Sequence, residues 1–162
     1  MLIDVSAGII VRGGRVLICR RADTDAGIGL WEFPGGKREL GETAAQCLMR
    51  ELREELGVDV AVDGVFTSFT WPSGERDIHF TFLLASVQRG QPQCLEHQAV
   101  LWALPSELDQ YTFCPADASI LPSIREMLQA QDARYITLKE IGEGGTDAKA
   151  TIPGPCKFSD CK

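Results

Sequence analysis

Between Thr43 and Gly57 the chain combines a helical repeat, both helix boundaries and an unbalanced charge along one side. Thr43-Ala-Ala-Gln46 has the spacing of a capping box, Gly57 tolerates the left-handed conformation that ends a helix, and Leu48, Leu52 and Leu56 recur every fourth residue. On a helix of about 3.6 residues per turn, Glu51, Glu54 and Glu55 fall within an arc of roughly 100°, about a quarter turn from the leucines. The leucine face packs, and the face beside it concentrates negative charge. Like charges at these spacings cost a helix a few tenths of a kcal/mol per pair, and an ordinary solvated face would interleave lysines, which this one does not. A bound cation would remove that repulsion. Carboxylate oxygens suit hard divalent ions, Mg²⁺ or Mn²⁺, which also bring phosphates with them. Helix geometry alone gives equal weight to an acidic surface helix whose carboxylates are met by Arg50 and Arg53.

The flanking segments predict strands. Ile3 to Val11 and Arg15 to Arg20 form a hairpin about Gly13-Gly14, and further strands run at Val58 to Val62, Val65 to Thr70, Ile78 to Val87 and Ala99 to Leu104. Trp31-Glu-Phe-Pro-Gly-Gly closes another strand, and Ala118 to Gln131 is a closing helix. Residues 1–131 make one domain, as 162 residues with 44% hydrophobic side chains allow. Residues 132–162 form a C-terminal extension, either a tail or an element that docks on the body or a second subunit. Within it Ile136 to Ile141 reads as a short strand, and Gly142-Glu-Gly-Gly-Thr and Pro153-Gly-Pro as turn or linker. Neither a monomer nor a dimer is selected.

A formal charge of −7 is the reverse of what a nucleic-acid polymer attracts. No apolar run approaches the roughly 20 residues of a membrane span, and Met1-Leu-Ile-Asp-Val lacks the basic start of a signal peptide. A soluble, cytoplasmic protein is expected. Cys19, Cys47, Cys94 and Cys114 are scattered among apolar neighbours, which predicts reduced thiols, and Cys156 and Cys161 lack the partners of a zinc site.

Just upstream of the acidic helix, Gly35-Gly36 lets backbone approach a ligand closely. The full run is Gly36-KRELG-Glu42-TAAQCLM-Arg50-Glu51-Leu52-Arg53-Glu54-Glu55-Leu56-Gly57-Val58. It resembles the Nudix box, G-x5-E-x7-R-E-U-x-E-E-x-G-U with U aliphatic, at every defined position. That resemblance implies an α/β fold, an α/β/α sandwich with a central mixed β-sheet. It also implies hydrolysis of a nucleoside diphosphate linked to another group, by water attacking phosphorus at a metal site. An anionic chain can bind such a substrate only through metal ions and local arginines.

The resemblance implies Glu51, Glu54 and Glu55 as metal ligands, with the Gly35 carbonyl as a further one. Arg50 would orient the carboxylates, and Glu42 would support them or serve the helix N-terminus. Glu54, Glu55 or Glu96 would take the proton of the attacking water, the choice staying open. Beyond the box, residues 2–130 are similar to two subfamilies. Glu32-Phe33-Pro34-Gly35-Gly36-Lys37 and Cys19-Arg20-Arg21-Ala22-Asp23 resemble the MutT type, which acts on 8-oxo-dGTP. Glu96-His97-Gln98-Ala99 and Pro115-Ala116-Asp117 resemble the CTP pyrophosphohydrolase type.

Arg21, Arg76 and Asp117 match nucleotide-contacting positions, Asp117 standing where the MutT type has asparagine. An ionised Asp only accepts hydrogen bonds, which suits the amine of cytosine but also that of guanine. His97 is a weaker candidate for proton transfer beside Glu96, and His79 is assigned no role. The implied activity is Mg²⁺-dependent release of a nucleoside monophosphate and pyrophosphate from a small nucleotide, first in nucleotide-pool sanitation of the MutT kind. Alternatives are CTP or a modified dCTP as substrate, a nucleoside diphosphate sugar or dinucleoside polyphosphate, and a non-catalytic nucleotide sensor.

Overall fold

The computed structural model describes residues 2–22, 29–74 and 76–141, and the side chains of these up to residue 131. Its first hairpin joins β1 (Ile3–Arg12) to β2 (Arg15–Arg20) through Gly13 and Gly14, both at positive φ, which closes a two-residue turn in the twist that strands favour. Two short strands follow, β3 (Trp31–Glu32) and β4 (Gly35–Lys37), and then helix α1 (Ala44–Leu56). The capping box is formed: the Gln46 N–H donates to Thr43 Oγ1 at 3.2 Å and the Thr43 N–H to Gln46 Oε1 at 2.9 Å. Gly57 ends the helix at φ 66.

β5 (Asp59–Trp71) and β6 (Ile78–Arg89) make a long antiparallel pair, followed by β7 (Ala99–Ala103), a single 3₁₀ segment and α2 (Pro115–Ile141). The expected break at Asp63-Gly64 is a correction. The two strands predicted there are one, and irregularities at Val62/Gly64 and Val65/Thr67 absorb the extra residues as bulges. The closing helix is also longer than its predicted span. It starts at Pro115, where the missing proline N–H costs nothing, and continues through Ile136 to Ile141, so the short strand expected there is helix. The predicted turns at 142–146 and 153–155, and Cys156 and Cys161, lie outside the described residues.

The sheet is mixed, in the order β3-β2-β1-β6-β5, with β4 paired to β1 and β7 to β2. β1 runs parallel to β6 and antiparallel to β2 and β4. Alternation along β1 sends Ile9 to a core with Val16, Phe33, Phe82 and the α2 residues Ile120, Ile124 and Leu128. Ile10 goes to the opposite core with Leu17, Val58 and the α1 stripe Leu48, Leu52 and Leu56. The result is the α/β/α sandwich. Among the described residues, Cys19, Cys47, Cys94 and Cys114 are free thiols, and no helix is long and apolar enough to cross a membrane.

Candidate active site

β4 lies beside β1, with Gly35 opposite Ala7 and Gly36 opposite Ser6. Side chains have no room here. A Cβ on Gly35 would run into the Ser6 carbonyl oxygen, and one on Gly36 into the Glu51 carboxylate. Bare backbone lets the acidic face of α1 rest directly on this strand: the Gly35 N–H donates to Glu55 Oε2 at 3.2 Å, and Glu51 lies against Gly36.

Arg50 is the centre of the polar network. Its Nε and Nη2 grip the two oxygens of Glu42 at 2.8 and 3.0 Å, and Nη1 donates to Glu51 Oε1 at 2.8 Å. Nη2 also reaches the Lys37 carbonyl at 3.1 Å, and Nη1 stands 3.5 Å from Glu54 Oε2. The bidentate guanidinium holds the Glu42 carboxyl down at about 2. Glu42 is thus the partner of Arg50, fastening the loop before α1 to the helix. Glu54 and Glu96 are both exposed.

Glu55 is electrostatically the most unusual of the acids. Burial, and then the charges of Glu51 and Glu32, push its carboxyl up to about 9 against the opposing Gly35 N–H, with Glu96 adding a smaller push. A carboxyl that resists ionisation beside other carboxylates is one that a divalent cation would stabilise, so the donor set fits a hard ion. Glu51, Glu54, Glu55 and the Gly35 carbonyl are the groups that would hold it. In this structure Glu51 and Glu54 face Arg50, and among the described residues no three His, Cys, Asp or Glu side chains converge to cage an ion. Gripping one requires carboxylates to turn from the guanidinium. Gly36→Ala tests the cradle: the variant folds, because only the tip of Glu51 must move, and its Mg²⁺ affinity in calorimetric titration falls on the order of tenfold or more.

Asp117 lies at the other end, in the first turn of α2 and 5% exposed. Its Oδ1 accepts the Phe33 N–H at 2.9 Å, tying α2 to the chain between β3 and β4. Burial raises its carboxyl to about 7, the Phe33 bond opposing and Glu32 reinforcing the rise. With its carboxyl raised this far, Asp117 has donation as well as acceptance open to it near neutral pH. Phe33 is core, its ring tilted against Phe113 at 5.6 Å, and Trp31 meets Tyr111 edge-on at 4.8 Å. Arg76 sits apart on the turn between β5 and β6, exposed, lining an open cavity of about 380 Å³ with Ile3, Ser73 and Ile78.

Arg21 points to a residue that sequence reasoning passed over. Its Nη1 is 2.6 Å from Glu32 Oε2, while His97 Nε2 is 3.5 Å from Glu32 Oε1. Glu32 stands between the two ends of the site, raising both Glu55 and Asp117. The available signal was an acid between Trp31 and Phe33, which strand alternation turns away from the core its neighbours share.

A family model described as NUDIX domain matches residues 2–136 of the chain. The CTP pyrophosphohydrolase of Escherichia coli (strain K12) is 39% identical over 132 residues, covering 82% of this chain and 98% of that protein. The 8-oxo-dGTP diphosphatase of Haemophilus influenzae is 34% identical over 121 residues, 74% of this chain and 89% of that protein. Among solved structures, that of the E. coli ORF135 protein superposes with a TM-score of 0.66 at 38% identity, covering 82% of this chain and 93% of the other.

Proposed function

The chain belongs to the Nudix family, and from that premise we propose that it cleaves nucleoside triphosphates to a nucleoside monophosphate and pyrophosphate with Mg²⁺ as the working ion. The observation that carries this reading is the seat of Glu51 and Glu55 on the bare backbone of Gly36 and Gly35, with Arg50 alongside. When bound there, the ion would supply charge neutralisation for the phosphates and acidify the attacking water. Glu51, Glu54 and Glu55 hold it, and Arg50 orients Glu51 and Glu54 from the side facing Glu42. One of Glu54, Glu55 and Glu96 accepts the proton of the water. Arg21 and Asp117, at the Glu32 end of the site, bind the nucleotide, while Arg76, the third nucleotide-contacting position implied by the sequence, lies apart from them on the turn between β5 and β6. Free thiols at Cys19 and Cys47 suit a reducing, cytoplasmic setting.

For the base, the first reading is an oxidised purine such as 8-oxo-dGTP, in nucleotide-pool sanitation. A second reading, CTP or a modified dCTP, is favoured by Asp117 and by the 39% identity to the E. coli CTP pyrophosphohydrolase. Pyrophosphate release is to be measured on 8-oxo-dGTP, dGTP, CTP and dCTP with Mg²⁺. Turnover of at least one is expected, and its absence on all four defeats the proposal. Glu54→Gln should lower kcat on the order of 10²–10³-fold. Equal residual rates in wild type and variant would instead mark a nucleotide sensor.

A further inference from the structure

His97 is joined to the site by chain segments distant in sequence. It lies in the connection from β6 to β7, where the Cys94 Sγ–H donates to the His97 carbonyl at 3.0 Å and the Gln98 N–H to the Arg20 carbonyl at 2.9 Å. Arg20 belongs to β2, and β2 pairs with β3 through Cys19 opposite Glu32. The loop is thus fastened to the strand next to the one that carries Glu32. The imidazole itself is 6% exposed; Nε2 lies 3.5 Å from Glu32 Oε1, and Nδ1 is buried without a hydrogen-bond partner. Burying an imidazole with one nitrogen unsatisfied costs stability that an apolar residue of similar size would not lose. The contact with Glu32 is the feature that gives this polar side chain a task.

We propose that His97 is a positioning residue, which with Arg21 clamps the Glu32 carboxylate between the metal-binding and base-binding ends of the site. Arg21 takes Oε2 and His97 takes Oε1, so neither oxygen is left to rotate. With both in place Glu32 presents one fixed charge to Glu55 and to Asp117. Without His97 the carboxylate pivots about its Arg21 contact, and the field at both ends blurs. Neither partner is covalent or redox-active, and the role requires no co-reactant. The inference rests on the proposed activity only for its kinetic readout.

The test is a mutant cycle on the full chain, with the nucleotide that wild type turns over best. His97→Leu removes the contact, and His97→Gln keeps an N–H near the Nε2 position. His97→Leu should lower kcat/KM roughly tenfold, as loss of a supporting partner does, while His97→Gln stays within about threefold of wild type. In a Glu32→Gln background the leucine change should add nothing further. A loss of the same size in both backgrounds, or no loss at all, overturns the proposal, because a merely structural histidine does not depend on Glu32. A second readout needs no turnover: long-range ¹H–¹⁵N spectra of the His97 ring. A dominant Nε2–H tautomer is expected in wild type, changing to a mixture in Glu32→Gln. Spectra indifferent to Glu32→Gln overturn the proposal even if His97→Leu fails to fold. If wild type hydrolyses no nucleotide, the proposed activity falls, and these spectra still decide the role of His97.

Discussion

Replacing Glu55 by Gln will raise the melting temperature of the metal-free protein and, in the same molecule, remove most of its turnover. The stability half follows from proton linkage. Folding raises the Glu55 carboxyl from the ordinary value of 4.5 to about 9. As pH climbs between those values the unfolded chain gives up this proton and the folded chain keeps it, so the folded state binds more protons and stability falls with pH. The stabilising contribution is complete below about 4.5 and is gone above about 9. At roughly 1.4 kcal/mol per pH unit, the burden near pH 7 is on the order of 3 kcal/mol. Gln fills the same space without it and still accepts the Gly35 N–H. Melts in EDTA should therefore place the variant several degrees above wild type at pH 8, with the gap closing toward pH 5. Added Mg²⁺ should lift wild type strongly and the variant little, because the ion binds the folded state through the group removed. Turnover should drop on the order of 10²–10³-fold. A variant no more stable than wild type in EDTA at pH 8 would show that Glu55 is not held as this geometry holds it.

What the sequence reveals of this molecule divides along the range of the interactions involved. Helix α1 is local in every respect: Thr43 and Gln46 cap each other three residues apart, the leucines repeat within one turn, and Gly57 stops the run. The acidic face needed nothing from elsewhere to be noticed. Asp63-Gly64 misled because a glycine next to an acid makes the same local signal in a turn and in a bulge. Only the pairing with β6, which sets Val62 opposite Ala85 and Gly64 opposite Leu84, selects the bulge. Ile136 to Ile141 has strand-like composition, yet it continues a helix already running from Pro115, and propagation costs less than a new nucleus. The meeting of Glu32 with His97 stayed hidden for another reason. They are 65 positions apart, and they meet because β2 lies between their segments, bonding to β3 on one edge and to the loop after β6 at Arg20. No spacing rule reports such a meeting.

The burial of Asp117 is equally invisible in sequence, and it predicts how base preference responds to pH. Oδ1 accepts the Phe33 N–H; if a base displaces what covers this buried carboxyl, Oδ2 is the oxygen it meets. With the carboxyl raised to about 7, Oδ2 carries a proton in part of the population below that pH and only accepts above it. Acceptance suits an exocyclic amine, that of cytosine or of guanine, whereas donation adds a contact only with the carbonyl edge of an oxidised guanine. The ratio of kcat/KM for CTP to that for 8-oxo-dGTP should consequently rise as pH is taken from 6 to 8. Titrations of the metal and the attacking water are common to both substrates and cancel in the ratio. Asp117→Asn keeps the oxygen that meets Phe33 and fixes a donor in the other position. The ratio should then fall by about tenfold or more at pH 8, the scale of one base-edge hydrogen-bonding pair, and lose its dependence on pH. Removing the charge also removes a stability loss that runs from 3.8 up to about 7, so the variant should melt higher than wild type at pH 7 and alike at pH 4. A ratio that still rises through pH 7 in Asp117→Asn would place the base elsewhere than at the start of α2.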